Sequence, residues 1–133
     1  RGTSRPSDPT HTVTRMAHAT SSPRPTAEDH GQRNAEWEEL GSVFRALGSP
    51  LRVGIVVLLQ ERSRSVNELV EALAVSQPLV SQHLRVLRSA GLVAGARNGR
   101  EMIYATTSDA VFDLVARAGR QLRQPRPSLR VAR

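Results

Sequence analysis

The sequence contains no cysteine and no lysine. Without cysteine there is no disulfide framework, no thiolate metal site and no thiol nucleophile, a composition that suits a reducing cytosol. Aromatic residues make up only 3% of the chain, namely Trp37, Phe44, Tyr104 and Phe112. No apolar run approaches the roughly 20 residues needed to span a membrane. The N-terminal stretch also lacks the continuous apolar segment of a secretory signal. These absences read as a soluble, cytoplasmic chain. Its 133 residues are enough for one domain with tails.

A further absence is local. Residues 76–100 contain no Asp or Glu, although the chain has 12 acidic residues in all, and they carry Arg85, Arg88, Arg97 and Arg100. The formal charge is +7, and all 19 basic residues are Arg. Residues 1–34 hold five Arg against three acids, 35–122 hold ten against nine, and 123–133 hold four against none. The central segment is therefore nearly neutral, with its positive charge gathered in one window. That placement points to a polyanionic partner more than to a uniformly solvated surface.

Residues 1–34 hold four of the eight prolines with many Ser and Thr. Too little apolar surface is available there to offset the entropy of ordering, so a disordered tail is expected. Met16 is a candidate natural start, which makes residues 1–15 a leader or an upstream extension. Helical periodicity begins near Asn34, with Trp37, Leu40, Val43, Phe44 and Leu47 on one stripe. Gly48 stops this helix, and Ser49-Pro50 restarts the chain as N-cap and first helical residue. The second helix, 50–62, is apolar on most sides and is expected to be central. Ser65-Val66-Asn67-Glu68 fits a capping box opening a short third helix, and Val75 begins the turn that follows it. Ser76 caps a fourth helix with Pro78 in its first turn.

Within this fourth helix Val80, Leu84, Leu87 and Gly91 recur on one face. The opposite face presents Gln77, Pro78, Ser81, Gln82, Arg85 and Arg88. Gln bonds adenine edges, Arg bonds guanine edges and Ser bonds either bases or phosphates, while a helix N-terminus attracts phosphate. An ordinary exposed face mixes Glu with Arg, and this one does not. Gly91 ends the helix. Two strands follow, 92–96 and 101–106, joined by Arg97-Asn98-Gly99-Arg100. Its Asn-Gly pair is a strong hairpin signal because both residues accept positive φ. Arg97 and Arg100 flank the tip and lie beside a DNA backbone or in a minor groove. Two short helices, the second basic, followed by a hairpin make a winged helix-turn-helix. The fold expected is mostly α with a small β-hairpin, in the order α-α-α-α-β-β-α. A last helix, 109–122, carries Val111, Leu114, Val115, Ala118 and Leu122. One small core does not need this stripe as well as that of the first helix. Trp37, Leu40, Phe44, Val111, Leu114, Val115 and Ala118 are therefore expected at a homodimer interface. Residues 123–133 read as a basic flexible tail adding phosphate attraction of no sequence preference.

The run from Val75 to Val93, with Ser81-Gln82-His83-Leu84-Arg85-Val86-Leu87-Arg88-Ser89-Ala90-Gly91-Leu92-Val93 at its heart, resembles the winged-helix metal-sensor repressors of the ArsR/SmtB family. Phe44-Arg45-Ala46-Leu47-Gly48-Ser49-Pro50-Leu51-Arg52 upstream, and Gly99-Arg100-Glu101 with Tyr104 downstream, extend the likeness over about 35–120. The resemblance implies a homodimer on a palindromic double-stranded DNA operator. By position, the resemblance implies that Gln77, Ser81, Gln82 and Arg85 touch DNA from the recognition helix and Arg97 and Arg100 from the wing; Ser76, Pro78, Arg88 and Asn98, read from the residues themselves, complete the expected DNA-binding set. His83 matches a His common in the motif and is read as structural or phosphate-contacting.

The metal chemistry that the resemblance implies carries over poorly. One family site uses Cys on the third helix, where this chain has Ser63-Arg64-Ser65-Val66-Asn67-Glu68-Leu69. The other uses Asp and His on the last helix. Here Asp109 and Asp113 are followed by Arg117 and Arg120, which cannot ligate a cation and repel one. A nickel or zinc effector would need His18 or His30, with Glu28 or Asp29 assisting. A small-molecule effector, a partner protein, or no effector are the other routes. The competing functional class is a winged-helix module that regulates through an acidic partner protein. Catalysis finds no nucleophile with a partner at readable spacing, no phosphate-cradling glycine loop and no evident carboxylate pair.

Overall fold

The computed structural model describes residues 23–128. Its elements are α1 (Ala27–Ala46), α2 (Pro50–Glu61), β1 (Arg64–Ser65), α3 (Val66–Leu73), α4 (Gln77–Ser89), β2 (Val93–Asn98), β3 (Glu101–Thr106) and α5 (Asp109–Arg123). The expected winged helix-turn-helix is present, with one strand more than the hairpin.

Helix was expected from Asn34, after a disordered tail, but it starts at Ala27. The cause is a capping box: the Thr26 hydroxyl accepts from the Asp29 N–H at 3.3 Å, and the Asp29 carboxylate accepts from the Thr26 N–H at 2.9 Å. Glu28 and Asp29 in the first turn complement the positive end of the helix. The first two turns carry no apolar stripe, so periodicity could not reveal them. The remainder of the expected N-terminal tail, with His18, lies outside the described residues, as does the end of the C-terminal one.

α1 and α2 meet at 89°. Ser49 and Ser76 occupy the expected N-cap positions of α2 and α4, but neither hydroxyl makes a cap bond. Ser65 does cap α3: its hydroxyl accepts from the Glu68 N–H at 3.2 Å, and Glu68 accepts from the Ser65 N–H at 3.3 Å. The turn after α3 opens one residue earlier than expected, at Ala74, which is left-handed (φ 55°, ψ 41°). α4 ends in a Schellman motif. Gly91 takes φ 74°, the Gly91 N–H donates to Arg88 O at 2.9 Å, and the Leu92 N–H donates to Leu87 O at 3.0 Å.

The sheet is antiparallel, in the order β1-β3-β2. β1 pairs Arg64 with Tyr104 and Ser65 with Ile103. A two-residue strand shows no alternation, which hid it from the sequence reading. The hairpin turn also sits one residue later than the Asn-Gly pair suggested. Asn98 pairs with Glu101, and Gly99, at φ 66°, is the first of the two turn residues. That pattern belongs to a turn needing positive φ at its first position only, so Asn98 remains in the strand. Gly95 lies opposite Tyr104; a Cβ there would come within 3.0 Å of the Tyr104 ring.

The core is built from α2, α3 and α4. Ile55, Val56, Leu69, Val80, Leu84 and Leu87 are fully buried, joined by Leu59, Leu92, Val93, Tyr104, Val111 and Ala46. Burying each such aliphatic side chain contributes about 1.5–3 kcal/mol. α4 is therefore fastened by one face only, which leaves its other face to solvent.

Candidate nucleic-acid interface

The split of α4 follows its helical period. Val80, Leu84 and Leu87 are buried, while Gln77, Pro78, Ser81, Gln82, Arg85 and Arg88 are all exposed. Gln77, Ser81, Arg85 and Arg88 recur at helical spacing and form one ridge. Because the Ser76 hydroxyl makes no cap bond, the free N–H groups of the first turn remain open to an outside acceptor. α3 differs, since its Ser65 closes that end.

The wing brings Arg97, Asn98 and Arg100 to the surface, all exposed. A concavity of about 220 Å³ joins the three parts, lined by Ser65, Val66 and Asn67 at the start of α3, Gln77 of α4, and Arg100, Glu101 and Met102 of the wing. It sets the first turn of α4 beside the wing tip. Sequence reasoning did not single out Asn67; the signal available was its place one residue into the capped helix. Charge is arranged selectively. Arg62 is paired with Glu68, and Arg64 with Glu61 at 2.7 Å. Among the described residues, Arg85, Arg88, Arg97 and Arg100 form no salt bridge. The Arg62 hydrogen bond and then the Ser65 N–H hold the Glu68 carboxyl below the usual glutamate range.

His83 is turned inward and half-buried, with its Nδ1 3.2 Å from Arg52 Nη1. No group of three or more metal-binding side chains comes together among the described residues. His30 stands in α1 with its Nδ1 3.0 Å from Arg33 Nη2. Asp109 accepts from Gln60 Nε2 at 3.2 Å.

A groove of about 380 Å³ runs between α1, α2 and α5, lined by Phe44, Leu47, Val53, Leu114, Val115 and Leu122 among others. Trp37, Leu40 and Phe44 are 64%, 53% and 51% exposed, and Leu122 is 78% exposed. Ala118 is exposed and Leu114 and Val115 are half-buried. Val111 departs from the expected set: it is only 9% exposed and belongs to the core cluster, so its side chain is spent on packing within the chain. Among the described residues no single helix is long and apolar enough to cross a membrane.

Comparison with known proteins adds four findings. A family model, the bacterial regulatory protein arsR family, matches residues 49–94. The chain is 51% identical over 83 residues to the HTH-type transcriptional repressor SmtB of Mycobacterium tuberculosis, a match taking in 59% of this chain. It spans 62% of that repressor, somewhat under two thirds of its length. It is 37% identical over 95 residues to the HTH-type transcriptional regulator NmtR of the same species, covering 71% of this chain and 77% of the relative. The fold is also similar to the solution structure of the homodimeric winged helix-turn-helix DNA-binding domain of Mb0332 from Mycobacterium bovis. The TM-score is 0.64 at 26% identity, covering 68% of this chain and 84% of that one.

Proposed function

This chain belongs to the arsR family of bacterial regulatory proteins, and we propose that it is a dimeric, sequence-specific DNA-binding transcriptional regulator. In this reading α4 enters the major groove and the β2–β3 wing lies beside it. The observation that carries it is the acid-free exposed ridge of α4, whose arginines are left unpaired while those nearby are neutralised. Gln77, Ser81, Gln82 and Arg85 meet base edges. Ser76, Pro78, Arg88, Arg97, Asn98 and Arg100 meet the backbone around them. The binding unit, expected over 35–122, runs from the start of α1 to the end of α5, and the basic segment after it adds phosphate attraction. A second copy covers the groove of α1 and α5. Two recognition helices then reach half-sites about one DNA turn apart.

The test is fluorescence anisotropy with the DNA upstream of its own gene against scrambled DNA. Tight, sequence-dependent binding is expected. Replacing Arg85 by Ala should cost roughly 1–3 kcal/mol on the cognate site and relax specificity there; unchanged binding would remove Arg85 from the groove. Equal affinity for both DNAs, with salt-sensitive binding to an acidic protein, would replace the reading by the partner-protein one. Regulation by nickel or zinc lacks a donor set among the described residues, so Ni(II) and Zn(II) form a separate arm. An altered affinity there directs attention to the N-terminal histidines.

A further inference from the structure

We propose that Arg52, on α2, is a positioning residue for DNA recognition, setting the pose of α4 against the end of α1 by holding His83. The inference rests on the reading of α4 as the recognition helix. Arg52 is half-buried, and its guanidinium is engaged on two other elements at once. Nε donates to the Ala46 carbonyl, Nη2 donates to the Arg45 carbonyl at 3.4 Å, and Nη1 faces His83 Nδ1 at 3.2 Å. The two carbonyls belong to the last turn of α1, where the helix dipole favours a cation; that of Arg45 also accepts from the Gly48 N–H at 3.2 Å. A guanidinium has donors only. His83 must therefore accept through Nδ1, which puts its N–H on Nε2.

The position of His83 gives this contact its consequence. Core packing through Val80, Leu84 and Leu87 holds α4 onto the domain, but apolar contact is non-directional. A hydrogen bond is directional. Among the described residues, the Arg52–His83 contact is the one side-chain hydrogen bond joining α4 to another element. His83 follows Gln82 and lies two residues before Arg85, so it sits on the flank between the buried and the exposed faces. Releasing it frees α4 to rotate about its axis, carrying Gln82 and Arg85 together. Base-edge contacts depend on that angle, whereas phosphate attraction does not. Lys cannot substitute, because its donors radiate from one atom and do not span three acceptors in a fixed fork.

The experiment measures affinity for upstream and scrambled DNA across Arg52→Met, Arg52→Lys, His83→Leu, His83→Asn and the double variant Arg52→Met/His83→Leu. It is joined to ¹⁵N NMR of the His83 ring. Arg52→Met and His83→Leu are each expected to lower the preference for upstream DNA on the order of tenfold, with scrambled-DNA affinity unchanged. His83→Asn, whose Oδ1 falls near the place of Nδ1, restores the preference; Arg52→Lys does not. The double variant is no worse than the worse single one, because both break one contact. The wild-type ring shows the Nε2–H tautomer and loses that bias in Arg52→Met. Should Arg52→Met fail to fold, the two His83 variants carry the comparison. Equal loss on both DNAs, additive losses in the double variant, or a wild-type His83 protonated on Nδ1 would each overturn the inference. A wild type that discriminates while all variants discriminate equally overturns this inference alone. A wild type without preference removes the recognition reading and this inference with it.

Discussion

At the scale of single residues, the chain holds two departures from ordinary preference that can be measured. Ala74 is left-handed at φ 55°, a conformation that costs a residue bearing Cβ about 1–2 kcal/mol. Replacing Ala74 by Gly should raise stability by about 0.5–1 kcal/mol after the entropy of the added glycine is counted. The readout is a higher urea midpoint with an unchanged slope. Nothing in the sequence around Val75 disclosed this strain, because Ala is a strong helix former and left-handed alanine has no sequence mark. Glu68 is the second departure. Its folded carboxyl lies below the usual 4.5, held first by the Arg62 hydrogen bond and then by the Ser65 N–H. A depressed carboxyl stabilises the fold above its unfolded value, and the contribution disappears as pH falls through the folded one. The melting temperature should therefore fall as the pH drops below about 4.5, and the fall should be smaller in Glu68→Gln. Thermal melts across that range, compared with wild type, decide it. The capping box itself was readable from Ser65 and Glu68; the Arg62 partner was not, since it comes from the loop before β1.

At the scale of elements, legibility followed signal length. α4 was legible because its apolar residues keep one face over the whole helix and Gly91 marks its end. α1 was legible only in the half that carries Trp37, Leu40, Phe44 and Leu47; its polar first turns are held by Thr26 and Asp29, a local bond pattern without periodicity. The wing was found, but its turn slipped by one residue because Asn98 stays in the strand and Arg100 takes the second turn position. The wing's basic side chains support an element-scale prediction. Arg97 is exposed and pairs across the hairpin with Met102, so it meets DNA, in the proposed pose, through charge alone. Arg97→Ala should weaken binding to all DNA sequences alike and lower the slope of log affinity against log salt by about one. Titrations at several salt concentrations give that slope, and an unchanged value would take Arg97 off the backbone.

At the scale of the whole molecule, the apolar surface is unevenly shared. Phe44 and Leu122 line a groove of about 380 Å³, and Trp37 and Leu40 are exposed further along the same helix as Phe44; this is the surface proposed above for a second copy. Phe44→Glu is expected to shift the protein from dimer to monomer in sedimentation equilibrium and to weaken binding to a two-half-site operator more than to a single half-site. A dimer that persists would move the interface elsewhere. The excess of apolar stripes made the exposure of Trp37, Leu40 and Phe44 legible in advance, while Val111 was misplaced because the sequence does not show which edge of the α5 stripe packs into the core. Ser65 has a consequence at this scale too. Its backbone pairs with Ile103 of β3 while its hydroxyl closes the first turn of α3. The chain from Ser65 to Ile103 is thereby closed into a ring that contains α3, α4 and β2. Closing it carries the entropy of a long loop, so these parts gain little by forming separately. They are expected to behave as one folding unit, and hydrogen exchange should then show their amides opening together. In the proposed pose the helix pair and the wing therefore meet the duplex as one unit, so that the distance between them is set by the fold before any base is read.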